Sequence, residues 1–242
     1  MLDFTRFQHI VALTGAGISA ESGVPTFRGE DGLWRHYRPE DLATPYAFAR
    51  DPALVWEWYD WRRGLIARCQ PNSAHFTLAA MQARLPDFTL ITQNVDGLHR
   101  QAGVQRLLEL HGNIWRLRCT RQGTTFEDRT TPLPHLPPYC PDCGALLRPD
   151  VVWFGETLPA DVLQNAFTAC AACDLILVVG TSALVQPAAS LPLIAIQNGA
   201  ALVEINLQPT PLSDHADLTL RQPAAQALPE LWQTWQNQLH NT

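Results

Sequence analysis

Four short apolar runs recur along the 242-residue chain and restrict its fold more than any other feature. They are residues 9–14 (HIVALT), 88–92 (FTLIT), 175–179 (LILVV) and 201–206 (ALVEIN). None alternates apolar with polar residues. A continuous branched run of this length suits a strand covered on both faces, as parallel strands are. Helical stretches lie between and beyond the runs, at residues 45–69, 72–84, 160–172 and 223–239. Strands alternating with helices predict an α/β fold, doubly wound around a parallel sheet.

Two stretches interrupt this rhythm. Residues 31–71 are rich in Trp and Tyr and read as a helical insertion. Residues 118–149 turn polar, Pro-rich and Cys-containing and read as a small module. The remainder, 1–30, 72–117 and 150–242, makes the larger domain of a single unit, and no internal repeat is present.

Composition removes several chemistries. All 17 basic residues are arginine, so no Schiff-base lysine, pyridoxal linkage or phosphate-loop lysine exists. A codon bias toward arginine is the simplest cause, and the exclusions hold regardless. A net charge of −6 argues against a nucleic-acid binder that works through a basic patch. The most apolar run falls far short of the ~20 residues that span a bilayer, so no membrane partner is expected. The N-terminal sequence lacks a basic region followed by a long apolar stretch, which predicts no secretory leader. Six cysteines are too few for a disulfide scaffold, which points to a reducing cytoplasm. A monomer is the default expectation.

Directly after the first run comes Gly15-Ala16-Gly17-Ile18-Ser19-Ala20, the G-x-G-x-x-A form of the dinucleotide fingerprint. Its strand-to-helix setting favours nucleotide binding (Rossmann-like) over a mere tight turn. Glycines let the backbone approach a pyrophosphate at a helix N-terminus. The acidic ribose ligand usual some 20 residues later is missing, because Glu40 and Asp41 do not end a strand.

The run GAGISAESGVPTFRGEDGLW (residues 15–34) resembles the cofactor loop of the sirtuins, the NAD-dependent protein-lysine deacylases. Further motifs follow in that family's order: TQNVDGLH (92–99), LHGN (110–113), CPDCG (140–144), VVWFGE (151–156), GTS (180–182) and INL (205–207). The resemblance covers nearly the whole chain. It implies that the acyl-lysine carbonyl oxygen attacks the nicotinamide ribose and expels nicotinamide. A base then activates the ribose hydroxyls, giving free lysine and O-acyl-ADP-ribose.

Residue by residue, the resemblance makes His111 the base, a role that an ordinary pKa of ~6.5 suits. A structural histidine is the bland reading, and the HGN context decides against it. Asn94 and Asp96 match residues that orient the ribose and the nicotinamide amide, although Q-N-V-D-G is also a good turn sequence. Gln93 matches a ribose contact. Phe27 and Arg28 match the cofactor loop, with Phe27 shielding the reactive carbon. Gly180, Thr181 and Ser182 follow a buried strand at the edge where α/β ligands bind, and Asn206 ends another. Ala224 aligns with an adenine-side contact. Val152, Trp153 and Phe154 would bind an acyl-peptide as an added strand.

Within the helical insertion, Tyr59 and Arg62 lie three apart, on one helix face. For a random pair this would be a surface helix. At this place in sirtuins, Y-x-x-R marks class III members, which remove succinyl and malonyl groups. An arginine fork and a phenol suit a carboxylate. Ala20 would leave room beneath for a longer acyl chain. The resemblance therefore implies a desuccinylase and demalonylase of bacterial type, with acetyl secondary.

Sirtuins hold a structural zinc in two C-x-x-C pairs, which makes the module zinc-ribbon-like. Here Cys140 and Cys143 are intact, but Cys119 is followed three places on by Gln122. Three thiolates remain where a closed site needs four, with His135 as a candidate substitute. Cys170 and Cys173 read as core packing. Two other functions share these residues: an ADP-ribosyltransferase and a non-catalytic NAD sensor. Finally, a lysine deacylase with no lysine among its 242 residues has no side chain of its own to act on.

Overall fold

The computed structural model describes residues 2–26 and 38–240. In chain order the strands are β1 (His9–Thr14), β2 (Asp87–Thr92), β3 (Leu107–Glu109), β4 (Gly112–Cys119), β5 (Thr125–Glu127), β6 (Leu147–Val151), β7 (Leu175–Val179), β8 (Ala201–Ile205) and β9 (Leu218–Leu220). The helices are α1 (Pro39–Leu42), α2 (Pro45–Arg50), α3 (Pro52–Ile66), α4 (Ser73–Arg84), α5 (Leu98–Gln101), α6 (Ala160–Ala172), α7 (Leu191–Gln197) and α8 (Ala224–His240).

Six strands form one sheet in the order β3-β2-β1-β7-β8-β9, and every pair is parallel. This is the expected doubly wound architecture. The order reverses between β1 and β7. Connections leave these two strands in opposite directions, so a crevice opens at their carboxyl ends.

The continuous apolar runs have a simple cause. Successive side chains of a strand point to opposite faces, and both faces are covered. Ile10 and Ala12 of β1 pack with Leu78 and Met81 of α4 and with Leu228, Trp232 and Trp235 of α8. Val11 and Leu13 pack instead with Ala166 of α6 and Leu191 and Ala195 of α7. Cys170 and Cys173 belong to this second core, and burial pushes both thiols up to about 12. They are apolar fillers, as their sequence setting suggests.

One expected helix is divided. Residues 45–69 break at Asp51, whose side chain accepts the Leu54 N–H at 3.0 Å, and Pro52 opens α3. A capping aspartate followed by proline at the first helical position is a strong start signal, so two helices form where the apolar pattern alone suggests one. At α4 the cap is Asn72, which accepts the Ala74 N–H at 3.0 Å.

A second sheet, β5-β4-β6, is antiparallel. It carries the Cys-containing stretch and begins just after His111. A third apolar cluster joins it to the helical insertion: Trp56 and Tyr59 of α3 pack with Cys119, Cys140, Leu147 and Trp153. Trp56 also donates its indole N–H to the Leu147 carbonyl at 2.7 Å. Among the described residues no helix is long and apolar enough to cross a membrane.

Candidate active site

The crevice is built on backbone packing. Gly15 donates its N–H to Val179 O at 3.0 Å, and Gly17 donates to Gly180 O at 2.8 Å. A Cβ on Gly17 would stand 2.7 Å from Gly180 Cα, and one on Gly15 would stand 2.8 Å from Gly180 O. The loop thus lies flat on the end of β7, and only glycine permits it. The expected helix after the loop is a tight seven-residue 3₁₀ turn, Ala16–Ser22, ending at left-handed Gly23. Because two loop amides are bonded to the end of β7 and to Gly180 just after it, this turn offers fewer N–H groups to a phosphate than the fingerprint implies.

A cleft of about 720 Å³ runs along these strand ends. Gly15, Ala16, Gly17, Gly180, Thr181, Ser182, Asn206 and Ala224 line one end, and Gln93, Asn94 and His111 the middle. Tyr59, Arg62, Val152, Trp153 and Phe154 line the other end, with Ala20 between. Side chains clamp the strand ends together: Gln93 Nε2 donates to Thr181 Oγ1 at 2.9 Å, and Asn206 Nδ2 donates to Thr181 O at 3.0 Å. A long, apolar-walled cleft on close-packed glycines fits a dinucleotide. Phe27 and Arg28 lie outside the described residues.

His111 sits between β3 and β4, half-buried. Its Nδ1 lies 2.9 Å from Gln93 O, an acceptor, so Nδ1 carries the proton and Nε2 is the basic nitrogen. Burial holds its pKa below the ordinary value, opposed by the bond to Gln93. It is therefore neutral near pH 7.

Asn94 lines the cleft, whereas Asp96 lies behind it, buried. Asp96 accepts from Ser19 Oγ at 2.8 Å and from Leu98 N at 2.9 Å. Burial raises its pKa against these two bonds. Ser19 Oγ in turn accepts from Asn94 Nδ2 at 3.2 Å. Sequence reasoning missed Ser19 and the buried polar groups next to it. His75 Nε2 lies 3.3 Å from Ser19 Oγ, and its ring centroid lies 4.9 Å from that of His99. His99 Nε2 meets Thr14 Oγ1 at 2.9 Å, and Thr14 donates to Thr92 at 2.8 Å. Burial pulls His75 down to about 4 and His99 well below the ordinary value. These groups come from a turn, two helices and two strand ends, Thr14 and Thr92, so no single sequence pattern gathers them.

At the other end, Tyr59 and Arg62 of α3 are both buried yet face the cleft. Tyr59 Oη accepts from Trp153 Nε1 at 2.9 Å, which leaves its hydroxyl proton to donate. Burial pushes the phenol up to about 12, so it stays protonated. The Arg62 guanidinium lies 5.0 Å from the Trp58 ring centroid. Burial lowers it to about 10, partly offset by Tyr59 and Asp96, so it stays a cation.

The segment after β6 departs from expectation. Val152 N–H bonds His111 O, Trp153 N–H bonds Glu156 Oε2, and Phe154 N–H bonds Ala43 O. All three amides are spent inside the chain, so a peptide pairing here could use only carbonyl groups. The segment's nearer effect is to hold His111 from behind.

The sulfurs of Cys119, Cys140 and Cys143 lie within 4.8 Å of one another. Tetrahedral ligands about 2.3 Å from zinc stand ~3.8 Å apart, so the trio fits three corners of one ion. His135 is exposed and outside the cluster, which removes it as the fourth ligand. Gln122 takes that corner: its Oε1 stands 4.0 Å from Cys140 Sγ, and its N–H points at Cys119 Sγ at 3.4 Å.

Comparison with known proteins places the chain. The model of the Sir2 family matches residues 15–187. An NAD-dependent protein deacylase from Aquifex aeolicus is 54% identical over 224 residues, covering 93% of this chain and 94% of its own. A solved complex of a mutant Sir2 homologue with ADP-ribose superposes with a TM-score of 0.96 at 49% identity, covering 99% of this chain and 96% of that one. A Sir2–p53 peptide–NAD+ complex superposes with a TM-score of 0.84 at 32% identity, covering 96% and 95%. The family model covers most of the chain, and relatives about half identical align or superpose over nearly all of it, so the chain belongs to the Sir2 family.

Proposed function

We propose that this chain is an NAD-dependent protein-lysine deacylase that prefers acidic acyl groups, succinyl and malonyl, over acetyl. The observation that carries this reading is one cleft with a neutral, oriented histidine at its middle and a buried Arg–Tyr pair at its end. The deacylase name of the Aquifex relative and the pairing of p53 peptide with NAD+ in the 32%-identical structure support it.

NAD would lie from Ala224 and Asn206, past the glycines, to Gln93 and Asn94, and would supply the ADP-ribose that accepts the acyl group. The chain's residues do the rest. His111 Nε2 takes the proton of a ribose hydroxyl, while Gln93 O keeps the ring in the right tautomer. Asn94 presents its amide to the ribose. Asp96 acts through Ser19 by fixing Asn94, not by touching the cleft. Arg62 and Tyr59 hold the acyl carboxylate at a desolvated end where a charge-assisted bond is strong. Ala20 leaves the chain length unobstructed. Carbonyls near Val152, Trp153 and Phe154 steady the peptide.

The experiment is turnover of matched acetyl-, malonyl- and succinyl-lysine peptides with NAD, read by mass. O-acyl-ADP-ribose formed fastest from the acidic peptides supports the assignment. ADP-ribosylated protein without deacylation would replace it with transferase activity, and no turnover would leave only an NAD-binding protein.

A further inference from the structure

The three clustered thiols have one corner that differs in kind from the rest. Cys119 and Cys140 are buried in the apolar cluster that joins the small sheet to α3. Cys143 is half-buried, and Gln122 is exposed. The corner that Gln122 faces therefore opens to solvent. Its amide oxygen is neutral and hard, whereas zinc beside thiolates favours sulfur or imidazole nitrogen. Oε1 is also 4.0 Å from Cys140 Sγ, so it lies near a fourth ligand's place without the donor chemistry to compete for it.

We propose that Cys119, Cys140 and Cys143 hold one zinc ion through three thiolates, and that the fourth corner, at Gln122, is an exchangeable site for an incoming small thiol. A closed structural site needs four protein ligands, whereas a site with three keeps a position for another molecule. Here the three come from separate positions pinned by the chain. Cys119 ends β4, and Cys140 and Cys143 sit in a turn closed by Cys140 N–H to Ala145 O at 2.7 Å and Gly144 N–H to Cys140 O at 2.9 Å. Coordination would involve no redox change: the incoming thiol would give its proton to solvent, and its sulfur would replace a water at the fourth corner. The proposal is independent of the acyl reading, because the thiols lie outside the cleft lining.

The test uses cobalt(II) as the probe on the full chain, with zinc competition as the second readout. One cobalt should bind per chain, with thiolate charge-transfer bands. Adding 2-mercaptoethanol should change the visible bands toward those of a four-sulfur site. Gln122→Cys should show four-sulfur bands from the start and ignore the added thiol. It should also hold zinc against a chromogenic chelator more tightly, by at least the ~10–100-fold that an outer-shell partner typically contributes. Gln122 is exposed, so the fold should survive, and matching circular dichroism would confirm that. The proposal is overturned if wild-type bands ignore the thiol, if both proteins hold zinc equally, or if only Gln122→Cys binds metal.

Discussion

The Nδ1 of His111 stands 2.9 Å from the carbonyl oxygen of Gln93, joining the residue just before the small sheet to the residue just after β2. This bond decides which ring nitrogen can act as a base. Burial keeps the ring neutral at working pH. As pH falls through its pKa, Nε2 gains a proton and can no longer accept one. The acid limb of kcat/KM should therefore lie below pH ~6.5. A limb centred above that value would mean another group titrates. His111→Ala should lower turnover by roughly 10²–10⁴-fold, the usual worth of a general base.

Arg62→Met should reduce succinyl- and malonyl-peptide turnover by roughly 10–150-fold, since a hydrogen bond to a charged group is worth about 1.5–3 kcal/mol. Acetyl-peptide turnover should hold or rise. Tyr59→Phe should cost about fivefold on the acidic peptides alone, for one neutral donor of about 1 kcal/mol. Equal losses on all three peptides would show that these residues support the fold and not the acyl carboxylate.

The buried histidines beneath the cleft make stability depend on pH. His75 is held down to about 4 and His99 well below the ordinary value, while both take up protons near 6.5 once unfolded. Between those values the unfolded chain binds more protons, so stability is full above pH ~6.5 and is lost on acidification toward 4. His75 alone accounts for about 3 kcal/mol across that window. Urea midpoints at pH 7.5, 6 and 5 measure it. A flat series would refute the claim, and His75→Gln should flatten much of the slope.

Gly17→Ala places a methyl 2.7 Å from Gly180 Cα, where only backbone can yield. Overpacking of this kind costs about 1–3 kcal/mol. The thermal midpoint should fall, and NAD binding by calorimetry should weaken further, because the cleft floor moves. Gly103→Ala is the control: it has nothing within 4 Å, though its positive φ carries a small strain cost of its own. Unchanged NAD affinity in Gly17→Ala would show that the loop does not set the cleft.

The parallel core was legible because β1, β2, β7 and β8 are apolar on both faces and their runs stand out. Strands β3 and β9, three residues each at the sheet edges, carry too little pattern to see. Helix α7 hides for the opposite reason: LPLIAIQ is nearly continuous and reads equally as a strand. His111, Asn94 and the glycines were found through motif order. Ser19 was in plain view within the loop. Its importance comes from Asp96, 77 positions away, and no local pattern reports a contact of that range. The spent amides of Val152 and Phe154 were hidden likewise, since their acceptors, His111 and Ala43, lie far off in the sequence, and that of Trp153 turns back to Glu156 three residues on.

The three apolar clusters have no member in common. Two of them flank the sheet that carries the glycine loop. The third contains Tyr59 and Trp153 of the acyl end together with Cys119 and Cys140. A change of volume inside that third cluster therefore reaches both the Tyr59 end of the cleft and the packing around Cys119 and Cys140.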